Sequence, residues 1–166
     1  MALVTAWRIT QARYLDGADA SAGRAAFGGE GARRYGGRWN PRGVPVAYAA
    51  GSRALALLEV LVHLGAPRLL ERYLLIPATF DESLVETLTD LPEGWRAHPA
   101  PHATRAVGAG WVEGARSPVL RVPSVVVPAE PNYVLNPRHP AFAEVTIGPP
   151  EALDVDARLT GEGSGA

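Results

Sequence analysis

The 166-residue chain contains no cysteine. Disulfides, thiol nucleophiles and cysteine-ligated metals are therefore excluded together. A charge excess is also missing: 16 Lys and Arg stand against 17 Asp and Glu, a formal net charge of −1. No global basic field exists to hold nucleic acid directly. Long apolar runs are absent too. The longest, around Leu55–Leu64 and Val122–Val127, are broken by Glu59, His63, Pro123 and Ser124. Neither approaches the ~20 residues of a membrane span. No basic stretch followed by an apolar core opens the chain, so no secretory signal is expected and a cytoplasmic location is.

What is present suits one globular domain. The length fits a single core, and 47% of the residues are apolar, an ordinary fraction. The 18 Gly and 15 Pro make about a fifth of the chain, so short elements and tight turns are expected. The domain is expected over residues 1–160. Residues 161–166 have the composition of a disordered tail.

Alternation over Thr5–Thr10 predicts a strand. Residues 16–37 show little periodicity and read as an irregular loop or a short helical turn. Val44–Ala50 reads as a strand, with Pro45 arguing for an edge position or the strand's start. Ser52–Leu64 is the clearest helix, with Ser52 as N-cap and Gly65 and Pro67 as its stop. Tyr73–Phe80 reads as a buried strand and residues 81–102 as a polar, Pro-rich excursion. Thr104–Ala115 reads as a short helix weakened by Gly108 and Gly110. Val119–Val127 is a β-rich run interrupted at Pro123, where a bulge or a change of partner is expected. Ala141–Ile147 and Leu153–Leu159 complete the strand candidates. Strands and helices do not alternate regularly, so the pattern favours an α+β domain of short mixed or antiparallel strands around a central helix.

Two segments carry candidate chemistry. Gly36-Gly37-Arg38-Trp39-Asn40 sets an arginine beside two glycines that permit close backbone approach. Arg38 could fork onto phosphate or carboxylate oxygens, and Trp39 could offer a flat wall. The segment is equally a Gly-Gly turn with an exposed arginine and a packed indole. Helical spacing places Ser52, Ala56, Glu59 and His63 on one stripe. That stripe is either the wet face of an amphipathic helix or the lining of a cleft, where a carboxylate among apolar groups stabilises developing positive charge. Glu59 and His63 do not make a His-Glu-x-x-His zinc site. His98, His102 and His139 sit in Pro-rich loops, so no metal site is expected. Ser124 lacks a nucleophile-elbow context. Tyr48 in a strand reads as core. Turn chemistry accounts for Asn132 and Asn136 around Tyr133.

In order and spacing, these pieces resemble the RES-domain family, named for arginine, glutamate and serine. The resemblance rests on Gly36-Gly37-Arg38-Trp39-Asn40, Val46-Ala47-Tyr48-Ala49 and Ala54-Leu55-Ala56-Leu57-Leu58-Glu59. It continues through Leu120-Arg121-Val122-Pro123-Ser124, Asn132-Tyr133-Val134-Leu135-Asn136-Pro137 and His139-Pro140. Trp7-Arg8-Ile9 and Asp156-Ala157-Arg158-Leu159 fit at the ends. The resemblance implies a fold similar to ADP-ribosyltransferase toxins. It implies a toxin that depletes NAD⁺ by hydrolysis or phosphorolysis, encoded beside an Xre-type helix-turn-helix antitoxin. Carried over by position, Arg38, Tyr48, Glu59 and Ser124 are the catalytic candidates. Arg8, Arg38, Trp39, Asn40, Tyr48 and Asn132 are the candidates for holding NAD⁺. The dinucleotide is then a consumed substrate, with no cofactor and no metal. Family members often dimerise, although no heptad here demonstrates it. A protein ADP-ribosyltransferase and a non-enzymatic binding module are the competing readings. All four catalytic candidates are expected to converge on one cleft.

Overall fold

The computed structural model describes residues 1–161. In chain order its elements are β1 (Leu3–Gln11), α1 (Ala20–Ala26), α2 (Glu30–Tyr35), β2 (Ala47–Ala50), α3 (Arg53–Leu61) and β3 (Tyr73–Asp81). They continue with β4 (Val85–Thr87), α4 (His102–Glu113), β5 (Val119–Pro123), β6 (Pro131–Leu135), β7 (Thr146–Ile147), β8 (Glu151–Ala152) and α5 (Ala157–Thr160). The fold is α+β, with a mixed sheet in the order β4-β5-β6-β2-β1-β3-β7 and β8 also paired to β3. Among the described residues, β4 and β5 alone run parallel, and every other pair is antiparallel.

The sheet is made of two halves. β1 and β3 pair along their full lengths, from Leu3↔Asp81 to Gln11↔Tyr73. β2 pairs with β6 along its length, and β6 with β5. Between the halves, β1 and β2 share one register pair, Trp7↔Ala50. Beyond it the strands part. Arg8 Nη1 donates to the Tyr48 carbonyl at 3.1 Å, serving an oxygen that a continued ladder would have paired.

Side-chain alternation gives the sheet two buried faces. Ala6, Ala47, Ala49, Ile76, Ala78, Phe80, Val119, Tyr133 and Leu135 face one side, under Phe27, Phe142 and Val145. On the other side, Leu120, Val122 and Val134 pack with Trp39 and Trp111 under α4. Leu75, Ala50, Trp7 and Ile9 pack with Leu55 and Ala56 of α3. Thus α3 covers one half and α4 the other, on the same face. Among the described residues, no helix is long and apolar enough to cross a membrane.

Several expectations change. Residues 16–37 form two helices: Asp19 caps α1 through the Ser21 and Ala22 amides, and Glu30 pairs with Arg33 and Arg34 along α2. β2 is an interior strand, so Pro45 marks its approach and not an edge. Ser52 does cap α3, accepting from Leu55 N at 3.0 Å. Pro131–Leu135 is a full strand, hidden in the sequence by proline and asparagine. Ala141–Ile147 is mostly a 3-10 turn over Pro140–Glu144, capped by His139, leaving only β7 as strand. Leu153–Leu159 is not a strand: Asp156 caps α5 there, and β8 lies earlier. Residues 162–166, most of the expected tail, lie outside the described residues.

Gly108 does not weaken α4 without return. A Cβ there would lie 1.5 Å from the Trp39 carbonyl oxygen, so the helix touches the Arg38 loop backbone to backbone. Gly110 faces open space. Gly108→Ala should therefore destabilise the domain by about 2–3 kcal/mol, lowering Tm by roughly 4–12 °C. Gly110→Ala should stabilise by up to ~1 kcal/mol. Thermal melts of the two variants check the contrast; equal shifts would contradict the contact.

Candidate active site

Glu59 sits in the last turn of α3, half-buried, on the face turned toward the ends of β5 and β6. Its Oε1 accepts from Ser124 Oγ at 2.7 Å and from Asn132 Nδ2 at 2.6 Å. Ser124 is completely buried. Its hydroxyl oxygen also accepts from the Val126 and Val127 amides, each at 3.0 Å. The two amides occupy its lone pairs, so its one proton is directed at Glu59. Asn132 projects from β6 on the same face as Val134. Its Oδ1 is buried without a partner, and facing that oxygen toward the carboxylate instead would set two acceptors together. No hydrogen bond among the described residues engages Glu59 Oε2. The carboxylate is thus anchored by one oxygen and open at the other.

Arg38 lies across from it. Its Nη1 donates to the carbonyls of Trp95 and Ala97 at 2.7 and 2.9 Å. Burial lowers the guanidinium's pKa from its ordinary value, and the charge of Glu59 opposes that effect. The two charges sense one another, yet they form no ion pair among the described residues. A fixed cation and a fixed anion thus stand within electrostatic range of one another without pairing.

The loop carrying Arg38 is held from below. Asn40 is fully buried, and its Nδ2 donates to the carbonyls of Ala32, Pro41 and Val44. Its Oδ1 accepts from the Tyr48 hydroxyl at 2.6 Å, and that hydroxyl accepts from Trp39 N at 3.0 Å. Burial pushes the Tyr48 hydroxyl above its ordinary pKa, so it remains a donor. Gly37 passes so close that a Cβ would stand 2.6 Å from the Tyr48 oxygen. Gly36, with φ of 73°, ends α2 in a backbone conformation that side chains rarely adopt.

These placements divide the candidates. Glu59, Ser124 and Asn132 form one hydrogen-bonded group, and Arg38 lies within electrostatic range of its carboxylate. Tyr48 acts on Arg38 through the loop it fixes. Trp39 and Asn40, expected against the dinucleotide, are buried in the core and shape the loop from inside, because the Trp39 ring packs with Trp111 and every polar atom of Asn40's side chain is engaged. Arg8, expected to hold substrate, is enclosed between the parted strands, its guanidinium 5.9 Å from the Phe27 ring centroid. The carbonyls of Trp95 and Ala97 were not legible, since any residue offers a carbonyl. Arg105, which donates to the Gly37 carbonyl at 3.3 Å, was also missed, because it lies on an otherwise ordinary wet helix face. Of the histidines, His63, His98 and His102 are exposed, and His139 spans from the Ala141 amide to the Ala115 carbonyl.

Residues 5–156 match the family model of the RES domain. Over 140 residues the chain is 46% identical to the Prs ADP-ribosylating toxin of a Sphingobium species, covering 81% of this chain and 83% of that protein. It is 37% identical over 157 residues to the Toxin Res of Photorhabdus laumondii, covering 92% and 95%. The Toxin Res of Yersinia enterocolitica matches at 40% identity over 138 residues, covering 82% and 86%. In three dimensions the chain superposes on the crystal structure of the M. tuberculosis MbcT–MbcA toxin–antitoxin complex with a TM-score of 0.70. That likeness, at 23% identity over 97% of this chain and 88% of the other, concerns the fold.

Tyr48→Phe removes the donor to a buried acceptor, Asn40 Oδ1. The expected cost is about 1–3 kcal/mol, read in denaturant as a lower midpoint at unchanged slope. An unshifted midpoint would show that the hydroxyl does not hold the loop.

Proposed function

The chain belongs to the RES-domain family, and from that premise we propose that it is the toxin of a toxin–antitoxin pair that depletes NAD⁺ by cleaving its nicotinamide–ribose bond. The observation that carries this reading is the Glu59 carboxylate, fixed by Ser124 and Asn132 through one oxygen, with its other oxygen unengaged among the described residues and the charge of Arg38 nearby.

The bond in question joins the nicotinamide nitrogen to ribose C1′. When it breaks, its electron pair passes to the ring nitrogen, and the cationic ring departs as neutral nicotinamide. The ribose is left with oxocarbenium character. A carboxylate already oriented when that charge develops needs no reorganisation. Ser124 and Asn132 supply the orientation, and Glu59 Oε2 is placed to accept from a ribose hydroxyl. Arg38, tied by one nitrogen to two carbonyls, keeps its remaining donors for a phosphate oxygen. The acceptor, water or phosphate, then attacks C1′ and releases its proton.

A second reading has one specific support. The relative at 46% identity carries the name of an ADP-ribosylating toxin, in which case a protein side chain replaces water at the same carbon. Labelled NAD⁺ separates the two: free ADP-ribose products, or label fixed on protein. The partner in either case is an antitoxin, and we expect one of the Xre helix-turn-helix type to be encoded beside this chain.

Purified chain should release nicotinamide from NAD⁺ in a time course run with and without phosphate. Glu59→Gln keeps a carbonyl acceptor for Ser124 and Asn132 but removes the charge. It should lower kcat by about 10²–10³ or more while circular dichroism and Tm stay near wild type. A folded variant with near-normal turnover would defeat the mechanism. Arg38→Ala should chiefly raise KM; an unchanged KM would contradict its binding role.

A further inference from the structure

Arg105 stands outside everything assigned so far. It projects from α4 and is half-buried. Its Nε donates to the carbonyl of Gly37, the residue that precedes Arg38. The two arginines are therefore tied to the same stretch of loop. Each is anchored to backbone carbonyls through a single nitrogen, and neither forms an ion pair among the described residues. Arg105 disfavours the charge on Arg38, so the pair is mutually repulsive as it stands. Two like charges held close by carbonyls, with free donors and no carboxylate bonded to either among the described residues, are preorganised for a dianion.

The surroundings extend the argument. Arg105, Ala109 and Glu113 recur at helical spacing on one face of α4. Between that face and the segment from Tyr35 to Arg42 runs a groove of about 650 Å³, a size usual for small-molecule sites. The exposed Tyr35 ring, Arg42 and Glu113 give it an aromatic wall, a cation and an acceptor. Arg8 offers no comparable clamp, because its guanidinium is enclosed between strands.

Resting on the NAD⁺ reading above, we propose that Arg105 is the second arm of a pyrophosphate clamp with Arg38. Arg105 takes the phosphate on the adenosine side, and the adenosine lies in the groove between α2 and α4. Nicotinamide and its ribose then extend the other way, toward Glu59.

Arg105→Gln tests this, since it keeps an amide donor and loses the charge. KM for NAD⁺ and the inhibition constant of ADP-ribose should both rise about tenfold, as for a lost charge-assisted hydrogen bond. The inhibition constant of nicotinamide mononucleotide, which lacks the adenosine-side phosphate, and kcat should each stay within about twofold. Arg105→Lys should recover part of the loss. Unchanged constants for NAD⁺ and ADP-ribose would overturn the assignment. So would a fall in kcat at constant KM with a lowered Tm, which marks a purely structural role. If wild-type chain releases no nicotinamide, the proposed function fails by itself. Calorimetric titration with ADP-ribose then still decides the clamp: wild-type binding weakened in Arg105→Gln supports it, and equal or absent binding refutes it.

Discussion

One gap in the hydrogen-bond ladder organises this molecule. β1 and β2 are neighbours joined by the single pair Trp7↔Ala50, and beyond it the sheet opens. An open ladder is costly, because each buried strand carbonyl without a partner forfeits about 1–3 kcal/mol. Arg8 meets that cost from within the gap, giving Nη1 to the Tyr48 carbonyl and laying its guanidinium near Phe27. Burial disfavours its charge, and its Nε finds no partner, so the solution is not free of strain. It lets the two half-sheets diverge while the Tyr48 carbonyl keeps a partner.

Each half-sheet then contributes a different kind of rigidity. α3, packed through Leu55 and Ala56 on Leu75, Trp7 and Ile9, carries the anion. Glu59 is nevertheless fixed by the other half-sheet, through Ser124 at the end of β5 and Asn132 in β6. The cation is carried by a loop, and loops are ordinarily mobile. Here three layers restrain it: the Asn40 side chain bonded at four points, the Tyr48 hydroxyl beneath it, and the backbone contact of Gly108 with Trp39. A buried asparagine with all its hydrogen bonds made specifies one loop geometry, because any shift breaks several at once.

Much of this was legible locally and little of it globally. The Ser52 cap, the body of α3 and the β3 run announced themselves through capping chemistry and apolar content. β6 did not, because Pro131 and Asn132 resemble turn residues, and the strand is stable only through pairing with β5 and β2. The two helices over residues 20–35 were hidden for a related reason: their Gly- and Arg-rich faces carry weak periodicity, and side-chain pairs and caps hold them. For the site, the ordered motif brought Arg38, Glu59, Ser124 and Asn132 to notice. It could not tell which of them keep free polar atoms and which are spent on support, since that depends on the partners the fold brings to each.

The motif therefore mixes two functions that a sequence cannot separate. In Gly36-Gly37-Arg38-Trp39-Asn40, only Arg38 presents donors outward; the glycines permit close approach, and Trp39 and Asn40 act from inside. The Tyr48 hydroxyl, receiving the Trp39 amide and donating to Asn40, belongs with them. Ser124 does so too, with its lone pairs spent on two amides and its proton on Glu59. Most of the motif is thus support, and the support is polar. Apolar packing could bury these residues as well, but it would not set the direction of a carboxylate or a guanidinium. Hydrogen bonds are directional where dispersion is not. A site whose task is to place two opposite charges at a fixed separation needs buried polar residues beneath it, and this chain supplies them from β2, β5 and β6.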